Sequence, residues 1–213
     1  MSPAPASQPA SLPAPTFDAA MVERGCPGYW EEARADLIKR DRILRRVIPK
    51  HPEGFLVSRG DPFVTLARAI TGQQISVKSA QAVLATSIEQ LRAVGLSGNK
   101  AAAISDLALK TTDGTVPLDR LDELSDAEII QRLSAVRGIG RWTAEMFLIF
   151  HLMRPNVLPL DDVGLINGIS TNYFSGEPVS RAEAREVGDA WAPFRSVATW
   201  YIWRSLDPLP VDY

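Results

Sequence analysis

The sequence contains few of the residues on which covalent cross-links and metal centres depend. One cysteine, Cys26, and two histidines, His51 and His151, occur among its 213 residues. A single cysteine excludes a disulfide within the chain and any zinc or iron–sulfur centre held by several of its own cysteines. The two histidines show no spacing that suggests metal binding or acid–base work. We therefore expect a protein of a reducing compartment that binds no metal through its side chains.

Long apolar runs and a large net charge are also missing. No run approaches the roughly 18 apolar residues of a membrane-spanning helix, and the first residues lack the charged and apolar regions of a signal peptide. The formal net charge of −2 argues against a broadly basic surface that coats nucleic acid, although it leaves room for one local basic face. We expect a protein without a membrane partner.

What the chain does contain is enough apolar sequence for one or at most two globular domains. Hydrophobic residues make up 46% and charged residues 23% of the sequence. Residues 1–16 differ, because they hold five prolines, four alanines and three serines but no charge. Such a composition cannot form a packed core. We predict a disordered tail over 1–16 and a folded domain over 17–213.

The pattern of apolar residues in the folded part is helical. They recur at intervals of three and four, as in residues 129–136, and strand-like alternation is nearly absent. Ser125 with Glu128, and Ser180 with Glu183, have the spacing of capping boxes. We predict an all-α fold of two helical lobes around a cleft, in which the stretch before Gln73 and the C-terminal helices form one lobe. The predicted helices cover 30–48, 61–72, 76–93, 98–110, 125–136, 141–152, 162–172, 180–190 and 193–205, with turns near 17–25 and 118–123.

The most specific segment is residues 133–144, which read LSAVRGIGRWTA. It predicts a helix, a tight turn with two glycines, and a second helix whose first turn presents unpaired backbone N–H groups. Gly138 and Gly140 let the backbone approach an anion, the helix dipole favours negative charge, and Arg137 and Arg141 flank the turn. The segment predicts a phosphate contact that reads no base sequence. Two glycines alone would favour a plain linker between helices, in which the glycines only end the first helix.

The wider pattern, L-x-x-V-x-G-I-G-x-x-T-A, resembles the helix-hairpin-helix of DNA repair glycosylases. Three more segments resemble this superfamily in the same order: LARAITGQQIS over 66–76, NVLPLDDVGL over 156–165, and WAPFRS with WYIW over 191–203. The last is similar to the C-terminal helix of the 3-methyladenine DNA glycosylase II branch. The resemblance implies a two-lobed helical array with a cleft for DNA and the base. It also implies a compact form, without the N-terminal β-domain of longer bacterial members.

The resemblance places a catalytic aspartate in the loop that follows the hairpin. Such a carboxylate stabilises the positive charge that develops on the deoxyribose as the N-glycosidic bond breaks. Asp161 and Asp162 both lie in this loop. The family pattern has the aspartate directly before a pair such as Val163-Gly164, which favours Asp162, whereas counting two residues from Pro159 selects Asp161. An aspartate before an apolar helix is also a common N-cap, and the two roles are compatible.

Trp142 bears on both the chemistry and the base pocket. In relatives that also cut the DNA backbone, the second residue after the second hairpin glycine is a lysine that forms a Schiff base. Trp142 occupies this position here, so the resemblance implies a monofunctional enzyme. It also places Trp142, Met146 and Trp203 in the pocket, where a cationic alkylated purine would stack on an indole face. The alternative is that these side chains belong to the core, to which we assign Trp30, Trp191 and Trp200.

The remaining contacts to DNA are also implied by the resemblance. A side chain near Gln73 and Gln74 fills the gap left by the flipped nucleotide in the family. We predict that Gln74 is inserted and that Gln73 is its hydrogen-bonding neighbour, with a polar turn as the alternative. The resemblance allows a monovalent cation on the hairpin carbonyls. The predicted phosphate-binding residues are Arg137, Gly138, Ile139, Gly140, Arg141 and Thr143.

These features predict a monomeric alkylpurine DNA glycosylase that acts on double-stranded DNA and needs no cofactor. It would work in the cytoplasm or nucleoid of a bacterium, or in the nucleus of a eukaryote. The alternatives are the same fold acting on uracil, hypoxanthine or an oxidised purine, a bifunctional glycosylase with lyase activity, and a non-catalytic DNA-binding module. Trp142 argues against the lyase, and the paired aspartates argue against the non-catalytic module.

Overall fold

A computed structural model describes residues 25–52, 54–58, 60–71, 83, 85–93 and 95–206. Within these ranges the chain is helical and contains no strand, so the prediction of an all-α fold is confirmed. No helix among these residues is long and apolar enough to cross a membrane. The predicted tail over 1–16 lies outside the described residues, as do Gln73 and Gln74.

Ten α-helices follow one another in the described ranges. Short 3-10 turns lie at Ile48–Lys50 and Leu121–Glu123. The helices are α1 (Trp30–Arg40), α2 (Leu44–Val47), α3 (Pro62–Thr71), α4 (Ile88–Ala93), α5 (Gly98–Thr112), α6 (Asp126–Ser134), α7 (Arg141–Phe150), α8 (Val163–Tyr173), α9 (Arg181–Asp189) and α10 (Arg195–Leu206).

Both predicted capping boxes are present and set where two helices begin. The Ser125 hydroxyl accepts a hydrogen bond from the Glu128 backbone N–H, and the Glu128 carboxylate accepts one from the Ser125 backbone N–H at 2.9 Å. Ser180 and Glu183 repeat this arrangement before α9. These local bonds satisfy backbone donors that a helix start otherwise leaves unpaired.

The single helix predicted over 30–48 is wrong, because the chain breaks at Asp41. This residue is extended, with φ −112° and ψ 122°, and its Oδ1 accepts hydrogen bonds from the backbone of Ile43 at 2.7 Å and Leu44 at 2.9 Å. Its Oδ2 accepts from the Tyr173 hydroxyl at 2.7 Å and from Trp191 Nε1 at 3.2 Å. Two distant side chains therefore hold Asp41 in a conformation that ends α1 and starts α2.

The helix predicted over 76–93 is interrupted as well. Residues 85–87 form a turn, and α4 starts only at Ile88. The Ser87 hydroxyl accepts from the Gln90 backbone at 3.2 Å, while the Gln90 side chain accepts from the Ser87 backbone at 2.9 Å. This reciprocal cap favours a new helix start over a continuous helix.

The helices pack in two groups that share one hydrophobic core. The first group contains α1, α2, α8, α9 and α10, and the second contains α3, α4, α5, α6 and α7. The predicted two-lobed array is present, but α3 lies in the second group although it precedes Gln73. The buried residues Phe63, Leu66 and Ala67 recur along α3 at helical spacing, and the helix packs on α5 and α7. Trp30, Trp191 and Trp200 are buried, as predicted.

Candidate active site

The loop between α7 and α8 is held from two sides. The Ser196 hydroxyl, in the first turn of α10, donates to the Arg154 carbonyl at 2.6 Å and accepts from the Val157 backbone at 2.9 Å. The Arg154 guanidinium donates to the carbonyls of Leu121 and Leu124, each at 3.1 Å. This backbone leads directly to the two aspartates, so its position fixes where they lie. No sequence motif predicted the part played by Ser196.

Asp162 lies at the N-terminus of α8, where three N–H donors hold its carboxylate. Its Oδ1 accepts from the Leu165 backbone at 2.6 Å and from Trp203 Nε1 at 2.8 Å, and its Oδ2 accepts from Trp142 Nε1 at 2.9 Å. The side chain is therefore the N-cap of α8. It also connects the two lobes, since Trp142 belongs to α7 in one lobe and Trp203 to α10 in the other. The residue is 9% exposed, so little water competes for these bonds.

Asp161 faces a different environment from its neighbour. Its carboxylate forms an exposed ion pair with Arg181 at the start of α9. Gly164 adds to the contrast, because a Cβ there would lie 3.1 Å from Asp162 Oδ1 and 3.4 Å from the Trp203 ring. A side chain at position 164 would therefore require the Asp162 carboxylate to shift by a few tenths of an ångström.

The aromatic residues around Asp162 differ in exposure. Trp203 is buried and stacks on Phe150 with 5.7 Å between ring centroids and 12° between planes, which fixes its indole. Trp142 is 41% exposed, so part of its ring is open to a ligand. Met146 is half-buried against the core. Val163 is 72% exposed directly beside Asp162, an apolar surface that the sequence did not indicate as part of the site.

The hairpin has the predicted geometry. Gly138 has φ +81°, a conformation that glycine adopts most easily, and Ile139 is buried beneath the turn. Gly140 is the N-cap of α7 and has no side chain to cap it. The first N–H groups of α7 therefore remain available to an external acceptor, with the exposed Arg141 and the half-buried Thr143 beside them.

Asp106, on α5, holds the hairpin from below. Its Oδ2 accepts from the Arg137 backbone N–H at 2.8 Å and from Lys110 Nζ at 2.6 Å. Partial burial by itself raises the pKa of Asp106, but the bonds from Arg137 and Lys110 outweigh it and lower that pKa below 3.8. Sequence reasoning missed Asp106, because it lies 31 residues before the backbone group that it binds.

Among the described residues, no group of three or more His, Cys, Asp and Glu side chains could hold a metal ion. The arrangement instead offers a fixed carboxylate before α8, an indole on α10, and a second indole on α7 close to the N-terminus of that helix. Such a set suits a positively charged reacting group and an anionic backbone bound side by side.

Two solved structures of DNA glycosylases share this fold. The Bacillus halodurans DNA-3-methyladenine glycosidase superposes with a TM-score of 0.74 and 30% identity, covering 82% of this chain and 89% of that one. The Schizosaccharomyces pombe 3-methyladenine DNA glycosylase in complex with abasic DNA gives 0.69 and 28%, covering 85% of this chain and 98% of that one. Fold and site together define a helix-hairpin-helix DNA glycosylase.

The sequence comparison narrows the class. DNA-3-methyladenine glycosylase 1 of Schizosaccharomyces pombe is 31% identical over 169 residues, which are 70% of this chain and 74% of the relative. No family model matches the sequence. The chain belongs to the DNA-3-methyladenine glycosylases, which are hydrolytic enzymes of DNA repair. The family resemblance read from the sequence is thereby confirmed.

Proposed function

We propose that this protein flips alkylated purines out of double-stranded DNA and hydrolyses their N-glycosidic bond, leaving an abasic site. The observation that carries the proposal is the Asp162 carboxylate, held by two indole N–H groups where the lobes meet. Family membership supports the reaction class, and the site supports the way in which the reaction proceeds.

Asp162 is the proposed catalytic carboxylate. As the bond from C1′ to the base nitrogen lengthens, the bonding electrons leave with the base and positive charge develops on the deoxyribose. A fixed carboxylate below the sugar stabilises that charge and orients the water that attacks C1′, and this water gives up one proton to the carboxylate or to solvent as the C1′ hydroxyl forms. A purine alkylated on a ring nitrogen already carries a positive charge, so it departs neutral without a proton from the enzyme. The proposed reaction therefore requires no general acid to protonate the leaving base.

Trp142 and Trp203 are the proposed walls of the base pocket, with Met146 at its edge. The exposed face of Trp142 can stack on a cationic base, an interaction of about 0.5–2 kcal/mol. The hydrogen bond from its Nε1 to Asp162 would fix the orientation of the indole, so that its exposed face is available to the flipped base. Trp203 is held by Phe150 on one side and Asp162 on the other. The enzyme would then select alkylated bases by their positive charge and their weak N-glycosidic bond, more than by hydrogen bonds to the edges of the base.

The hairpin from Arg137 to Thr143 is the proposed phosphate grip, with Gln74 filling the gap in the duplex and Gln73 beside it. Trp142 stands where a lyase would have its nucleophilic lysine, so the proposed enzyme is monofunctional. It would act as a monomer in the compartment that holds the DNA.

The test is the release of bases from methylated duplex DNA, with every product identified by chromatography. We expect 3-methyladenine or 7-methylguanine in the free fraction and an intact backbone with abasic sites. Duplexes with uracil, hypoxanthine or 8-oxoguanine test the other lesions, and release of only these bases would contradict alkylpurine specificity. Borohydride trapping of a covalent adduct would contradict the monofunctional assignment.

A further inference from the structure

Glu145 is a buried carboxylate that the proposed reaction does not use. It lies one turn into α7, in the wall of a groove of about 520 Å³ between α7 and α9. Its side chain is only 3% exposed. One oxygen, Oε1, accepts from Arg141 Nε at 2.8 Å, whereas the other, Oε2, is buried without a hydrogen-bond partner.

Such a group weakens the fold. A buried carboxylate with an unsatisfied oxygen is more costly than an apolar side chain of similar size at the same position. Burial raises the pKa of Glu145, and Asp161 acts in the same direction, against the opposing charges of Arg141 and Arg181. The groove carries apolar residues such as Leu148 but also three further arginines, Arg181, Arg185 and Arg195. Among the described residues, the ion pair that Glu145 forms is with Arg141.

Glu145 restricts the side chain of Arg141, the first residue of α7. Its guanidinium donates to Glu145 through Nε, so this hydrogen bond does not use the two terminal nitrogens. The side chain remains 60% exposed and adjoins the uncapped N–H groups that follow Gly140. An arginine held in this way has lost part of its conformational freedom before any ligand arrives, so binding costs less entropy.

We propose that Glu145 is a positioning residue that orients Arg141 toward a DNA phosphate at the hairpin. The proposal rests on the proposed function, because it requires DNA at the hairpin. If the charge of Glu145 acted only by repelling DNA, its removal should strengthen binding. If Glu145 instead positions Arg141, its removal weakens binding.

The experiment compares Glu145→Met, Glu145→Gln and Arg141→Ala with the unmodified protein. The probe is a duplex with a tetrahydrofuran abasic analogue, titrated over a series of salt concentrations, and thermal unfolding is measured in parallel. We expect Glu145→Met to lower the affinity about fivefold. In Arg141→Ala the magnitude of the slope of log K against log salt should fall by about 1 relative to the unmodified protein, and Glu145→Met should approach this lower slope. Glu145→Gln should retain most of the affinity, because its amide oxygen can still accept from Nε.

Thermal stability separates positioning from a structural role. Glu145→Met should unfold at the same temperature as the unmodified protein or higher, because it removes the unsatisfied oxygen. Glu32→Met, a change of equal charge at an exposed position on α1, is the matched control and should leave affinity and slope unchanged.

The inference is wrong if Glu145→Met binds as tightly as the unmodified protein at every salt concentration. It is equally wrong if affinity falls with an unchanged salt slope and a lower unfolding temperature, since that result describes a structural residue. Failure of the unmodified protein to bind the duplex or to release bases would instead contradict the proposed function. The two failures are therefore distinguishable.

Discussion

Replacing Asp162 with asparagine tests the catalytic assignment most directly. Asparagine keeps an oxygen that can accept from Leu165 and Trp203, so the N-cap and one indole contact survive. Its amide nitrogen would then face Trp142 Nε1, donor against donor, which removes one hydrogen bond. The fold should lose about 1 kcal/mol.

The catalytic loss should be much larger than the structural one. A unit negative charge about 4 Å from the developing positive charge is worth roughly 4 kcal/mol at an effective dielectric constant of about 20. At about 1.4 kcal/mol for each factor of ten, this corresponds to a rate reduction of about a thousandfold. Binding to an abasic duplex should be unchanged or tighter, because the substitution removes negative charge.

The assay is single-turnover release of bases from methylated DNA, with excess enzyme so that binding does not limit the rate. Asp161→Asn is the control, because it removes a carboxylate charge at the adjacent position but breaks only an exposed ion pair with Arg181. It should stay within about twofold of the unmodified rate. Retention of more than a tenth of the rate by Asp162→Asn would refute the electrostatic argument, and a large loss in Asp161→Asn would move the catalytic role by one residue.

Three further substitutions have defined outcomes. Trp203→Phe removes the donor to Asp162 but keeps an aromatic ring, so we expect roughly tenfold slower base release in the same assay, with a cooperative unfolding transition. Gly138→Ala places a Cβ at φ +81° and should destabilise the fold by about 1–2 kcal/mol in denaturant titration while weakening the affinity for duplex DNA. Asp106→Ala removes the acceptor of the Arg137 backbone N–H and should weaken DNA binding but not the rate on bound DNA, as measured by fluorescence anisotropy and single-turnover release. Because the pKa of Asp106 is lowered in the fold, its stabilising effect is fully present above pH 3.8 and is lost as the pH falls through the lower pKa of the folded state, so unfolding curves of this variant and the unmodified protein should converge in acid.

The local features of the fold were predictable from the sequence. Ser125 and Glu128 form their capping box through bonds that span three residues, so no distant part of the chain is needed. The helices over 98–112 and 126–134 follow from apolar spacing in the same way. The break at Asp41 combines a local cap of Ile43 and Leu44 with bonds from Tyr173 and Trp191. The latter could not be predicted, because these residues lie 132 and 150 positions away.

The same distinction applies to the site. The sequence by itself determined that two glycines would form a tight turn before a helix, and that an aspartate would stand before α8, because both depend on adjacent residues. The family pattern favoured Asp162, because it directly precedes Val163-Gly164, and the count from Pro159 left Asp161 as the alternative. Only the tertiary structure decided which carboxylate faces the two indoles, because Trp142 and Trp203 approach from helices 20 and 41 residues away and in different lobes. The side chain of Asp161 lies instead on the exposed face with Arg181.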